Sequence, residues 1–393
     1  MMTVAQASQL IHQHLPDWGE DVVSLEDPQP EMALAALIAD RAYPPADRVM
    51  MDGIALSWAS YAKGQRQFLI LGTVAAGDSP LSLTDPQACL EVMTGAVLPL
   101  GTDLVIPYEH LKIQAGLAQI TLEQARQPGD NVHLAHSDCP AGAVILPAPF
   151  VLNGPRWGIA ASFGQTRLRC RRRPKIKLIA TGNELLDPDD QPQVYQLRRS
   201  NVYALQASLQ LQGYPVVAID QVPDDPDILA EHYQAQATEY DVLIYSGGVS
   251  KGKFDYLPTV WQSQGVRPYV QGVAQRPGKP LWFGVDSTHN TAVFGLPGNP
   301  ISSLICLHRY FLPWPGRYAQ LTESITFKPD LTYFLPVKIE YSPQSQILAY
   351  PLPMKNSGEF VALAQSDGFL ELPQQFSDFE AGQSFPFYSW WPW

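Results

Sequence analysis

Hydrophobic and polar positions recur with different periods along this chain, and the changes of period divide it. Up to about Asp40 the apolar positions read as helices: Val4, Leu10 and Ile11 in one run, Met32 to Ile38 in a second. From Tyr43 to about Pro147 the pattern breaks into short β-rich runs, FLILGTV, CLEVM and DLVIPYE, punctuated by Gly and Pro, so a β module is expected there. RLRCRRRPK, from Arg167 to Lys175, is a dense basic run that reads as a solvated linker.

After Pro174 strand and helix alternate. IKLIA is a β-branched run bounded by turn residues. SNVYALQASLQLQG follows, with Ser200 as candidate N-cap, Val202, Leu205 and Leu209 on one face, and Gly213 as the stop. PVVAIDQV, a helix opened by Asp224-Asp225-Pro226, DVLIYSG, a helix from Tyr256 to Gln262, AVFGL and the helix ISSLICLHRYF complete the stretch. Strands separated by helix-length segments predict a parallel, doubly wound sheet with helices on both faces, a three-layer α/β/α domain. From about Gln320 the text is strand-like again, as far as the aromatic tail FPFYSWWPW, which predicts a small all-β domain.

Composition narrows the function. A chain of 393 residues suggests roughly two to four domains. The 36 prolines fit β-rich modules joined by extended connections. A net charge of −12 argues against nucleic acid as a partner, because no broad basic face is available to displace phosphate counterions. MMTVAQASQLIHQHL lacks the basic segment and apolar run of a signal peptide, and no stretch reaches the roughly 18 apolar residues of a spanning helix. A cytoplasmic protein without a membrane partner is expected. Cys89, Cys139, Cys170 and Cys306 form no CxxC pair and read as buried or free thiols.

Three strands of the α/β region run directly into polar or Gly-rich loops: IATGNEL, IYSGGVSKGKFDY and FGLPGNPIS. In an open parallel sheet such loops form the ligand crevice, where glycines admit an anion and the next helix aims free N–H groups at it. Gly247 to Lys253 also fits the first seven positions of a P-loop, but Phe254 stands where a Ser or Thr hydroxyl should hold magnesium, which speaks against an NTPase. Glu184, Asp224, Asp225 and Asp255 lie beside these loops. Carboxylates next to a glycine-cradled phosphate suit magnesium-assisted phosphoryl chemistry. Asp224 and Asp225 serve equally well as helix caps.

TGNEL, SGGVSKGKFDY, PGKP and LPGNPIS, in this order, resemble the molybdopterin-binding domain shared by molybdenumtransferases and molybdopterin adenylyltransferases. MMDGIAL (Met50 to Leu56), MTGAVLPLGTDLVIPYE (Met93 to Glu109), NSGEFVALAQSDGFLELP and AGQSFPF are similar to further segments of the molybdopterin molybdenumtransferase family alone. The resemblance implies a multidomain α/β plus β fold: a helical stem (1–43 and 139–173), an inserted β domain (44–138), the three-layer molybdopterin-binding domain (174–319) and a C-terminal β-barrel (320–393). It implies a homodimer that takes adenylylated molybdopterin and molybdate with Mg2+ and releases AMP, with a molybdopterin adenylyltransferase as candidate partner. By matching position, Asp52, Thr94, Glu184 and Asp255 would be catalytic, and Asp224 and Asp255 would hold metal. Substrate would meet Asp138, Thr181, Gly182, Ser246, Gly247, Gly248, Ser250, Gly252, Arg276, Lys279, Pro297, Gly298, Asn299, Pro300 and Ser302.

Several basic positions depart from the family. Its Arg-rich N-x-R-R-x-G-E-D stretch reads Asn131-Val132-His133-Leu134-Ala135-His136-Ser137-Asp138 here. Gly272 and Pro336 stand where Lys and Arg are expected, Arg199 replaces an Asp before the Ser200-Asn201 pair, and Arg276 keeps the charge of a Lys. A dianion is normally held by such donors. Two readings follow: an active transferase whose anion site is rebuilt from Arg199, Arg276, Lys279 and the histidines, or a diverged paralogue that binds molybdopterin or a partner without efficient metal insertion.

Overall fold

The computed structural model describes residues 1–28, 31–214, 217–250, 255–312, 316–352 and 360–391. They form two compact units, Asp21–Arg171 and the pair of segments Met1–Glu20 and Arg172–Trp393.

The larger unit is built on a six-stranded sheet. In spatial order its strands are Val217–Val222, Ile176–Thr181, Val242–Ser246, Thr291–Leu296, Trp282–Asp286 and Arg267–Gln271. The first four run parallel, as the alternation of strand and helix predicts. Trp282–Asp286 is antiparallel to both its neighbours, so the sheet is mixed, and this strand and the edge strand Arg267–Gln271 went unread in the sequence. The strands Ile176–Thr181, Val242–Ser246 and Thr291–Leu296 are buried at every position because both faces are covered. Alternate side chains serve opposite layers. Ile176, Leu178, Ala180, Val242, Ile244, Ala292 and Phe294 pack in one core with helices Val4–His14, Asn201–Leu211 and Pro300–Tyr310. Ile179, Leu243, Tyr245 and Val293 pack in the other with Pro226–Ala237 and Leu257–Ser263.

Helix starts follow local chemistry in part. Asp225 caps Pro226–Ala237 by accepting from the backbone N–H of Asp227 and Ile228, with Pro226 in the first turn. Ser200 occupies the cap position of Asn201–Leu211, but its side chain makes no capping bond. Gly213 lies at φ +79° just past that helix, a left-handed stop suited to glycine.

In the same unit, strands Thr332–Tyr341, Ile347–Pro351, Tyr318–Leu321, Ser384–Ser389 and Gly368–Leu372 pair in succession, and the last returns to the first. This closes a five-stranded barrel around Leu335, Val337, Ala349, Leu370 and Phe387.

The smaller unit carries a six-stranded sheet in the order Leu104–Pro107, Gly53–Leu56, Ala88–Val92, Gln67–Val74, Leu117–Ile120 and Leu111–Gln114, which bears out a β module there. Its flanking segments are less helical than expected. Met32 to Ile38 is not a helix: Met32–Ala33 pairs with Phe150–Val151, and Leu37–Ile38 with Val144–Leu146. Pairing with strands more than a hundred residues away, which buries Ala33 and Leu37, overrides a locally helix-favouring run. The basic run is not a linker either. Arg167–Arg171 is a strand whose Leu168 and Cys170 point into a core while its arginines face outward. Cys89, Cys170 and Cys306 are buried, Cys139 is half-buried, and all four are free thiols.

Candidate active site

The strand beginning at Ile176 has its sequence successor on one side and Val242–Ser246 on the other, so strand order reverses between them. In an open α/β sheet the ligand crevice lies outside the carboxyl ends at such a switch point. Thr181 and Gly182 end one of these strands, Ser246 and Gly247 the other, and Pro297 and Gly298 follow the adjacent Thr291–Leu296. The three loops singled out in the sequence therefore meet at one edge of the sheet.

Glycine is required there by close approach. Gly247 has φ +108°, and a Cβ on it would stand 2.7 Å from the Thr181 carbonyl oxygen. Gly248 has φ +64°, and a Cβ would meet Thr181 Oγ1 at 3.1 Å. That hydroxyl is buried and has no hydrogen-bond partner among the described residues. An orphaned buried donor at the carboxyl end of a switch-point strand is the kind of group a ligand satisfies.

Side chains missed in the sequence tie the loops together. Asn201 Nδ2 donates to Ser246 Oγ at 2.9 Å and to the Gly298 carbonyl at 2.7 Å, bridging the second and third loops. Ser303 Oγ lies 3.4 Å from Ser246 Oγ and donates to the Pro297 carbonyl. Asn183 Oδ1 accepts from the Asp224 N–H at 3.2 Å, joining the first loop to the next strand end. The signal available was their place within or beside the motifs, polar residues flanking apolar strands and helices.

Burial raises the Asp224 carboxyl above its ordinary value, and the negative charges of Glu184 and Asp255 push it the same way. Three of the predicted acidic residues thus share one neighbourhood. Asp225 caps its helix and Asp224 does not, which separates the two roles the sequence left open for this pair. Among the described residues no three His, Cys, Asp or Glu side chains are gathered so as to hold a metal ion unaided.

Asn299 is the N-cap residue and Pro300 the first-turn proline of helix Pro300–Tyr310, and Ser302 is buried within that helix. Ser250 is exposed, and Gly252 lies outside the described residues. Arg276 and Lys279 are exposed on the segment between the antiparallel strands Arg267–Gln271 and Trp282–Asp286. Arg199 is ion-paired with Asp187. Gly272, at φ +84°, closes a turn by donating to the Leu281 carbonyl, and Pro336 is a buried barrel position opposite Phe369.

In the smaller unit Asp52 and Thr94 come together. Asp52 Oδ1 accepts from Thr94 N–H at 2.6 Å and from Thr94 Oγ1 at 2.7 Å, which lowers the Asp52 carboxyl below its usual value. The neighbouring Gly53 has no alternative, since a Cβ would lie 2.0 Å from the Ile106 carbonyl oxygen across the sheet. Asp138 is held below the ordinary carboxylate value chiefly by His133, whose Nε2 lies 2.8 Å from Asp138 Oδ1. His133 is therefore already engaged by a carboxylate.

Comparison with known proteins agrees with this architecture piece by piece. The MoeA N-terminal region (domain I and II) matches residues 2–164, a probable molybdopterin binding domain matches 177–315, and the MoeA C-terminal region (domain IV) matches 318–390. A molybdopterin molybdenumtransferase of Synechocystis is 54% identical over 390 residues, covering 99% of this chain and 100% of that protein. One from Bacillus subtilis is 26% identical over 390 residues, covering 94% and 90%. The crystal structure of a molybdopterin biosynthesis MoeA protein from Pyrococcus horikoshii OT3 superposes with a TM-score of 0.79 at 19% identity, over 98% of both chains, which extends the likeness to the fold. With three consecutive domain matches covering nearly its whole length and a relative matched end to end, the chain belongs to the molybdopterin molybdenumtransferase (MoeA) family.

Proposed function

We propose that this protein inserts molybdenum into adenylylated molybdopterin in molybdenum cofactor biosynthesis, consuming molybdate and releasing AMP, as a magnesium-dependent cytoplasmic homodimer. The observation that carries the reading is the switch-point crevice, where close-packed glycine backbone and the orphaned Thr181 hydroxyl adjoin the carboxylates of Glu184, Asp224 and Asp255.

That donor set fits magnesium. Carboxylate oxygens are hard ligands, and Mg2+ is commonly held by one or two of them together with water and substrate phosphates rather than by an all-protein cage. Asp224 and Asp255 would hold it, and when bound it supplies positive charge against the phosphates. The loops Ser246–Gly248 and Pro297–Pro300 orient the pterin phosphate, with Asn201 fixing their spacing. Arg276 and Lys279 supply cations for the oxyanion. A second copy contributes Asp52 and Thr94 from its inserted module, residues 44–138.

AMP release from adenylylated molybdopterin, measured with and without molybdate and Mg2+, tests the proposal. Asp255→Asn should raise the barrier by a few kcal/mol, about a hundredfold or more in rate, with the fold intact. Unchanged turnover would end the role of Asp255. Binding without molybdate-dependent AMP release by the wild type would instead identify a diverged paralogue.

A further inference from the structure

The segment carrying Arg276 and Lys279 is held from beneath by a buried polar cluster. Gln275 is fully buried and pairs with the buried Thr332, although the next residue, Arg276, is exposed. Every polar atom of its amide is used. Nε2 donates to the Pro277 carbonyl at 3.2 Å and toward Cys306 Sγ at 3.5 Å, while Oε1 accepts from the Tyr310 hydroxyl. Cys306 Sγ in turn lies 3.7 Å from the Gly278 carbonyl. Gly278, at φ +91°, fits closely over the pair: a Cβ would stand 2.5 Å from Gln275 Nε2 and 2.7 Å from Cys306 Sγ.

Cys306 and Tyr310 are four residues apart, hence on one face of helix Pro300–Tyr310. The amino end of this helix carries the Pro297–Pro300 loop, and Ser303 in its first turn bonds the Pro297 carbonyl. One rigid helix therefore anchors both loops, the glycine loop by its first turn and the cation segment by its last two. Backbone bonds close the segment on itself, from Val273 N–H to the Lys279 carbonyl at 2.9 Å and from Gly272 N–H to the Leu281 carbonyl at 2.8 Å. Further backbone bonds tie it to Met2 and to the barrel strand, from Ala274 N–H to the Met2 carbonyl at 2.7 Å and from Thr332 N–H to the Ala274 carbonyl at 2.9 Å, while the Gln275 amide and the Cys306 thiol link it to helix Pro300–Tyr310.

We propose that Gln275, held by Tyr310 and Cys306, is a positioning residue that sets Arg276 and Lys279 relative to the Pro297–Pro300 loop. It touches no substrate and acts through the two cations. The proposal rests on the reading above that these cations serve the oxyanion. Misplacing a binding group by about 1 Å weakens its contribution steeply, so a purely apolar replacement of similar volume should raise KM for molybdate while the fold survives.

A double-mutant cycle tests this. Gln275→Met, Arg276→Ala and the double variant are compared for molybdate KM, kcat and Tm in the AMP-release assay. Gln275→Met is expected to raise molybdate KM roughly tenfold with a smaller change in kcat, and to raise it by much less than tenfold once Arg276 is Ala, the remainder acting through Lys279. Its Tm decrease, by contrast, should be the same in both backgrounds. If the KM effects multiply, Gln275 acts independently of Arg276 and the proposal is wrong. If Arg276→Ala alone leaves molybdate KM unchanged, the anion is held elsewhere, and both the reading and this inference fall. Should Gln275→Met not fold, Tyr310→Phe enters the same cycle, since it removes only the hydroxyl that Gln275 Oε1 accepts from.

Discussion

His308 makes stability fall with acid in a way that can be computed in advance. It lies in helix Pro300–Tyr310, 4% exposed, with Nε2 at 3.1 Å from Ser208 Oγ of the neighbouring helix and its ring edge-on to Trp390, centroids 4.9 Å apart. Burial disfavours the imidazolium and moves its pKa from 6.5 down to about 4, against a smaller opposing effect from the Ser389 backbone. The unfolded chain therefore binds more protons than the native protein between those values. The stability contributed by the neutral ring is complete above pH 6.5 and is lost as pH falls toward 4. At about 1.4 kcal/mol per pH unit the full loss is about 3.5 kcal/mol, of which about 1.4 is gone by pH 5.5 and about 2.5 by pH 4.5. His308→Gln keeps a polar group for Ser208 but cannot titrate. The variant should be less stable than wild type at pH 7.5, because packing on Trp390 is impaired. That deficit should shrink by about 2.5 kcal/mol, or several degrees in Tm, on going to pH 4.5. Differential scanning calorimetry of the two proteins across this range is the measurement, and carboxylates titrating in both cancel in the difference. Parallel pH curves, or an NMR titration of the His308 ring near 6.5, would refute the reasoning.

Two further substitutions probe the crevice and its support. Gly247→Ala puts a methyl against the Thr181 carbonyl at a φ of +108°, so it should cost at least about 2 kcal/mol of stability and lower AMP release more than tenfold. Wild-type Tm and activity in that variant would show that the loop can move aside. Asp241 accepts both guanidinium N–H groups of Arg172 at 2.7 and 2.9 Å and the Lys175 N–H at 2.7 Å, and together these outweigh burial and hold its carboxyl below the ordinary value. The stability they contribute is present at neutral pH and lost as pH falls below 3.8. Arg172→Met should therefore cost about 2–3 kcal/mol at pH 7 in a denaturant titration, and less in strong acid.

Much of this protein is decided locally and can be read from its residues. The parallel strands announce themselves because apolar β-branched runs ending in TGNE, SGGVSKG and LPGNP leave few other conformations, and glycines at positive φ are demanded by the turns themselves. An aspartate cap beside Pro226 is legible in the sequence, but that Asp225 rather than Asp224 provides it is decided only by the fold. Other features exist only once distant segments meet. EMALAALIAD has helical spacing, yet Met32–Ala33 and Leu37–Ile38 are strands, because hydrogen bonds to residues 144–151 and burial of Ala33 and Leu37 outweigh a preference of a few tenths of a kcal/mol per residue. RLRCRRRPK looks like solvated charge until Leu168 and Cys170 find a core and Asp241 takes Arg172. The motifs name Asp224 as a candidate, but only folding sets it near Glu184 and Asp255 and raises its carboxyl. No spacing rule could connect Asn201 with Ser246 and Gly298, or Gln275 with Tyr310. Local conformation follows from near neighbours in the chain, whereas contacts across tens to hundreds of residues depend on the order of strands in the sheet, which no local pattern encodes.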